Sequence, residues 1–206
     1  MLRPSGLGRF ALAVLVLAAG TALIASRPAA VSAAVHHTMH AGSHQGTRAA
    51  STPPNDANIA AIVVAANTID IHNAREAERI SKNSKVMDFA RRMVTDHSAV
   101  NKKATDLAKR LDLTPRENAT SRSLETSATR TRTHLMTLSG PDFDKAYIGN
   151  EVSYHQAVLD MMDKTLIPDA QNGDLKKLLE ETRPAIEEHL KMAREIQGEL
   201  SGMTGR

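Results

Sequence analysis

The chain contains no cysteine and no tryptophan, and aromatic residues make up only 2% of its 206 residues. Without cysteine there is no disulfide framework and no thiolate metal site, so methionine is the only soft metal ligand on offer. So few aromatic rings leave little for stacking on nucleic-acid bases. No Ser/His/Asp order, phosphate-binding glycine loop or reactive cysteine supports hydrolase, kinase or thiol chemistry.

The positive net charge of +3 is a property of the first 34 residues. They hold Arg3, Arg9 and Arg27 and no acidic residue, so basic and acidic residues are equal in number in the rest of the chain. A balanced charge combined with few aromatic residues argues against a nucleic-acid partner. The sequence names no protein partner.

Residues 1–34 have the pattern of a secretory signal peptide: arginines, then an apolar run from Phe10 to Ala25, then small residues from Val31 to Ala34. The apolar run has sixteen residues and contains a glycine, whereas a membrane-spanning helix needs roughly 20 apolar residues. Cleavage is therefore favoured over an uncleaved anchor. The sequence predicts a periplasmic or otherwise exported protein with no membrane span in the mature chain.

Residues 35–55 are poor in large apolar side chains and rich in His, Ala, Ser, Thr and Pro, which is typical of a disordered linker. The linker contains a short cluster of metal-ligating side chains: His36, His37, Met39, His40 and His44. Such a cluster either binds copper, nickel or zinc loosely or is merely solvated, and both readings stay open.

Residues 56–201 follow a helical period, which predicts one all-α domain built on four long amphipathic helices. The stretch from Ser81 to Lys85 is short and polar, so the first two helices should be antiparallel neighbours. A weaker Thr/Ser-rich helix between Arg116 and Leu138 is expected to cross the bundle. The third long helix should stop near Pro168, and Pro184 should either kink the last helix or delay its start.

Each of the four long helices carries a stripe of apolar residues along one face. Near its middle, each stripe is interrupted by a residue that can ligate a metal: Asp70, His97, His155 and His189. Asp70 and His97 are equally distant from the loop between the first two helices, so antiparallel packing should place them face to face. His155 and His189 lie within about one turn of a common height on the other pair. Buried polar groups of this kind need a partner, and a shared metal ion is the simplest one.

Three imidazoles and one carboxylate suit Zn, Cu, Fe or Mn, and nothing indicates an organic cofactor. Glu151, one turn before His155 on the same face, is a candidate fifth ligand. Asp96 and Glu188 each directly precede a predicted histidine ligand and are expected to orient imidazoles or to face solvent. Whether an open coordination position performs catalysis is undecided. The alternative is a hydrogen-bonded polar layer inside a non-catalytic envelope interaction module.

The other histidines of the helical region, His72 and His134, lie off the stripes and are expected at the surface. Met93 and Met162 occupy stripe positions and are expected to fill the core rather than to bind copper.

Three stretches carry a likeness to a known family: Phe89-Ala-x-x-Met-x-x-Asp-His97, Phe143-Asp-x-x-Tyr147 and residues 183–190. Over about residues 56–200 the chain resembles the bacterial ferritin-like "domain of unknown function 4142" family. The resemblance implies a ferritin-like four-helix bundle in a periplasmic or outer-membrane protein, without a settled activity. Asp70 stands where the family commonly has Glu, which keeps the carboxylate. Di-iron ferritin-like proteins use Glu-x-x-His pairs, which this chain lacks before both His155 and His189.

Overall fold

The structure, a computed structural model, describes residues 54–202. The predicted signal peptide and nearly all of the predicted linker lie outside these residues. The described part is all-α, as predicted, and contains no β-strand. Its helices are α1 (Asp56–Ile80), α2 (Ser84–Arg110), α3 (Ala119–Leu135), α4 (Gly140–Met161), α5 (Ile167–Asp169) and α6 (Gly173–Gly202), with a π-helical turn (Met162–Leu166) between α4 and α5. None of the helices in this range is long and apolar enough to cross a membrane.

Asparagine side chains set where the first three helices begin. The side-chain oxygens of Asn55, Asn83 and Asn118 each accept hydrogen bonds from backbone N–H groups two or three residues further on. Asn118 also forms a reciprocal capping box with Ser121. Such caps satisfy N–H groups that have no partner inside the helix, and each contributes about 1 kcal/mol.

The four long helices form the bundle. α1 makes its most extensive contacts with α2, and α4 with α6, while α2–α6 and α1–α4 contacts join the two pairs. The predicted crossing helix is α3, which lies against α1 and also touches α4. It buries only Ser121 and Leu135, because its Thr, Ser and Arg side chains leave it no continuous apolar stripe.

The buried apolar residues fall into two groups separated by a polar layer. The leucine-rich half takes residues from the start of α1 and α6 and the end of α2 and α4, and includes Leu107, Leu159 and Leu179. The aromatic half lies at the opposite end of the bundle and includes Phe89, Phe143 and Tyr147. Met93 and Met162 are both buried in these groups, as expected, while His72 and His134 are exposed.

One of the two prolines marks a helix end as the sequence indicates, and the other does not mark a helix start. The third long helix ends near Pro168 as expected, at Asp169, but it passes through the π-helical turn, which periodicity did not reveal. The late start proposed for the last helix is wrong, because α6 begins at Gly173 and runs through Pro184. Its start is set by Asn172, whose side-chain oxygen accepts hydrogen bonds from the backbone N–H groups of Asp174 and Leu175.

Candidate metal centre

The four residues that interrupt the stripes converge in the middle of the bundle. His97 Nε2 and His155 Nε2 both lie 3.4 Å from Asp70 Oδ2. The ring centre of His189 is 5.2 Å from that of His97 and 5.4 Å from that of His155. All four residues are at most 4% exposed. The convergence predicted from distances along the chain is therefore confirmed, whereas ligation of a metal by these residues stays a prediction.

Glu151 joins this cluster from α4 and is fully buried. Its Oε2 lies 3.5 Å from His155 Nδ1. The potential ligand atoms form two sets, and within each set all atoms lie within 4.8 Å of one another. One set comes from the three histidines, and the other from Asp70, Glu151 and His155. Because His155 Nδ1 lies 3.0 Å from the Glu151 backbone carbonyl, which can only accept, this nitrogen carries the proton. His155 then offers the single atom Nε2, and it is the residue that the two sets share.

Asn67 determines which nitrogen of His97 is protonated. Its Nδ2 donates to the Val63 carbonyl at 2.8 Å, which orients the amide so that Oδ1 must accept from His97 Nδ1 at 2.7 Å. The lone pair of His97 is thereby left on Nε2. This role of Asn67 was not predicted from the sequence, although its position three residues before Asp70, on the same helical face, was a usable signal.

Asp96 plays the same part for His189. Nε2 of His189 donates to Asp96 Oδ2 at 2.9 Å, so the lone pair of His189 is on Nδ1. Of the two alternatives for Asp96, orienting an imidazole or facing solvent, the structure shows the first, and the imidazole is that of His189 on α6 rather than that of its sequence neighbour His97. Arg92 holds it in place through a 3.2 Å ion pair. Glu188 is exposed, which is the solvent-facing alternative of its prediction.

The cluster contains six buried side-chain atoms that have no hydrogen-bond partner within residues 54–202. They are both carboxylate oxygens of Asp70, Glu151 Oε2, His97 Nε2, His155 Nε2 and His189 Nδ1. An unpaired buried polar atom costs about 1–3 kcal/mol, and native proteins contain few of them. Such a concentration of unpaired atoms is what a bound ion would satisfy, and the residues that carry them form two groups that could hold a metal ion.

Burial favours the protonated form of both carboxyl groups of the cluster. Desolvation raises the pKa of Asp70 to about 8. Desolvation also raises the pKa of Glu151 well above its ordinary value, and the neighbouring Asp70 adds to the effect. Both groups therefore hold protons that a cation must displace before it can use their oxygens.

Burial has the opposite effect on the imidazoles, which it keeps neutral. Desolvation, together with a smaller effect of the neighbouring His189, lowers the pKa of His155 to about 4. Desolvation and the neighbouring His155 and His189 lower the pKa of His97 well below its ordinary value. Desolvation also lowers the pKa of His189, although its hydrogen bond to Asp96 opposes this. Neutral imidazoles are the form that ligates metals.

All four aromatic residues of the described chain form one connected group beside the cluster. The rings of Phe89 and Tyr154 lie 6.5 and 6.1 Å from that of His155. Tyr147 contacts Phe89 at 6.3 Å and Phe143 at 6.1 Å. With so few aromatic residues in the chain, this placement surrounds one side of the centre with low-polarity material.

Comparison with known proteins gives one finding. A family model described as "Domain of unknown function (DUF4142)" matches residues 41–196. No curated protein and no solved structure matches the chain.

Proposed function

We propose, from the premise that this chain belongs to the DUF4142 family of domains of unknown function, that it binds one divalent transition-metal ion in its core. The ligands would be His97, His155, His189 and Asp70, with Glu151 as the fifth. The observation that carries the proposal is the set of three imidazole nitrogens and three carboxyl oxygens that are buried and unpaired, on residues that form two groups sharing His155. Metal storage or protection against oxidative stress is the role that follows.

Charge balance supports a divalent ion. The three imidazoles are neutral when they ligate, and the two carboxylates of Asp70 and Glu151 would neutralise a doubly charged cation once they lose their protons. A buried centre without net charge avoids most of the desolvation cost of an isolated ion. This nitrogen and oxygen ligand set suits Zn, Cu, Fe or Mn.

The hydrogen bonds behind the imidazoles also support the proposal. Metal-ligating histidines usually donate their second N–H to a carboxylate or carbonyl oxygen, which aims the lone pair at the metal. Asn67, Asp96 and the Glu151 carbonyl do this for the three imidazoles here. The alternative, a purely structural polar layer, would be expected to pair its own groups. It explains the six unpaired atoms less well.

The proposed location is the periplasm or another exported compartment. It rests on the signal-peptide pattern of residues 1–34. Histidines 36–44 are a second potential source of metal binding, so any measurement of metal content has to separate them from the core.

Elemental analysis of the protein purified without an affinity tag tests the proposal. A matched variant lacks residues 36–53, which removes the histidine cluster but keeps the cap residue Asn55. We expect about one equivalent of a single transition metal in both proteins. The proposal is wrong if the shortened protein contains no metal and takes up none from added Zn, Cu, Mn or Fe. Two equivalents of iron would instead indicate a di-iron centre.

Asn67→Ala is expected to weaken metal binding by roughly 10- to 100-fold without removing any ligand. The reason is that His97 loses the acceptor that selects its tautomer and orientation. Competition with a chromophoric chelator measures the affinity.

Asn101→Ala is the matched control for this change. Asn101 also links α1 and α2, through a 3.1 Å hydrogen bond to Thr68, but lies outside the cluster. Equal affinities in the two variants would contradict the orienting role of Asn67.

A further inference from the structure

A cavity of about 40 Å³ adjoins the cluster on the side of the leucine-rich half. His97 and His155 form part of its wall, whereas Asp70, Glu151 and His189 do not. The rest of the wall is mainly aliphatic and methionine side chains from the four long helices. The cavity therefore reaches the proposed metal centre only between two of its imidazoles.

The polar side chains in the wall are already paired. The hydroxyl groups of Tyr154 and Thr182 donate to backbone carbonyls at 2.9 and 2.7 Å, and both ends of the Asn67 amide are hydrogen-bonded. Only the Nε2 atoms of His97 and His155 remain unpaired, and these are the proposed ligands. A buried water needs two to four polar partners, so the cavity is suited to an uncharged apolar occupant.

The π-helical turn contributes to the shape of this space. Met162 and Leu166, its first and last residues, both line the cavity. A π-helical turn inserts an extra residue into a helix and re-aims the side chains around it, and such turns occur frequently at functional sites. Here the turn follows α4 directly and supplies two residues of the wall of a cavity that His97 and His155 also line.

We propose that the cavity binds a neutral diatomic molecule, such as dioxygen or nitric oxide, next to the metal ion. The inference rests on the proposed function. A single water requires roughly 10–15 Å³ of such space, so the volume accepts about three or four atoms of this size. An ion or a polar metabolite would find no free partner in the wall, and a longer apolar molecule would not fit.

Two probes test the inference, xenon for the cavity and nitric oxide for its link to the metal. Xenon-pressurised crystals of the metal-free protein should show the gas between His97, His155 and Val158. Nitric oxide added without oxygen to the Fe(II)-loaded protein should give the electron paramagnetic resonance signal of an iron nitrosyl. Val158→Phe fills the cavity and should abolish xenon binding and weaken nitric oxide binding at least about tenfold at unchanged iron content.

Val64→Phe is the matched control, because Val64 faces open grooves on the other side of α1 and takes the same added volume outside the cavity. Val100→Phe, at a half-buried position in the cavity wall, serves if Val158→Phe does not fold. The inference is overturned if the protein binds iron but no xenon enters the cavity. It is also overturned if the filled and control variants bind nitric oxide with equal affinity. Either outcome leaves the proposed function standing. Failure of the unaltered protein to take up any of Zn, Cu, Mn and Fe overturns both.

Discussion

Replacing His97 and His155 together with alanine should abolish stoichiometric metal binding and remove the stabilisation that metal gives the folded protein. The double change takes away two of three imidazole ligands and leaves a carboxylate-rich remnant. A metal at about 1,000 times its dissociation constant stabilises the folded state by about 4 kcal/mol. The increase in melting temperature on adding metal should therefore disappear, which differential scanning calorimetry with and without metal measures.

The control for this experiment is the double variant His72→Ala/His134→Ala. Both of these histidines are exposed and lie outside the cluster, so the control removes the same number of imidazoles without touching the centre. It should bind about one equivalent of metal and keep the full thermal shift. If the core variant retains its metal, the core-site proposal is wrong. If it is destabilised equally with and without metal, the structural polar layer is the better account.

Binding of a divalent metal at pH 7 should release about two protons. Asp70, with a pKa of about 8, and Glu151, with a raised pKa, are protonated in the metal-free protein. The metal displaces both protons, whereas the neutral imidazoles have none to release. Isothermal titration calorimetry in buffers of different ionisation enthalpy counts the protons. Asp70→Asn and Glu151→Gln, which keep the shapes of the side chains, should each lower the count by about one.

The same pKa shifts determine how stability changes between pH 6.5 and pH 8. The raised pKa of Asp70 gives stability that is fully present below its ordinary value of 3.8 and is lost as pH rises through about 8. The lowered pKa of His155 gives stability that is present above 6.5 and is lost only as pH falls through about 4. The metal-free protein should therefore become less stable from pH 6.5 to pH 8, while metal affinity increases. A count near zero protons, or affinity independent of pH in this window, would contradict the predicted protonation state of the cluster.

The sequence was enough to predict that Asp70 and His97 lie at the same height in the bundle. The reason is that helical rise and antiparallel pairing are both properties of short stretches of chain. Counting residues from the loop predicted that the two side chains face each other, and Asp70 Oδ2 lies 3.4 Å from His97 Nε2. The same counting placed His155 and His189 within about one turn of a common height. The placement of Glu151 one turn before His155 followed from helical periodicity alone, and its complete burial agrees with it.

The amino-acid sequence by itself determined the all-α class, the four long helices and the polar layer, because each follows from the spacing of apolar residues along a helix. Only the tertiary structure decided that Asn67 and Asp96 select the tautomers of His97 and His189, and that a cavity opens beside the cluster. These features depend on how far each helix is rotated and shifted against its neighbours, and on the extra residue in the π-helical turn. That information lies in contacts between distant segments, which no local period encodes.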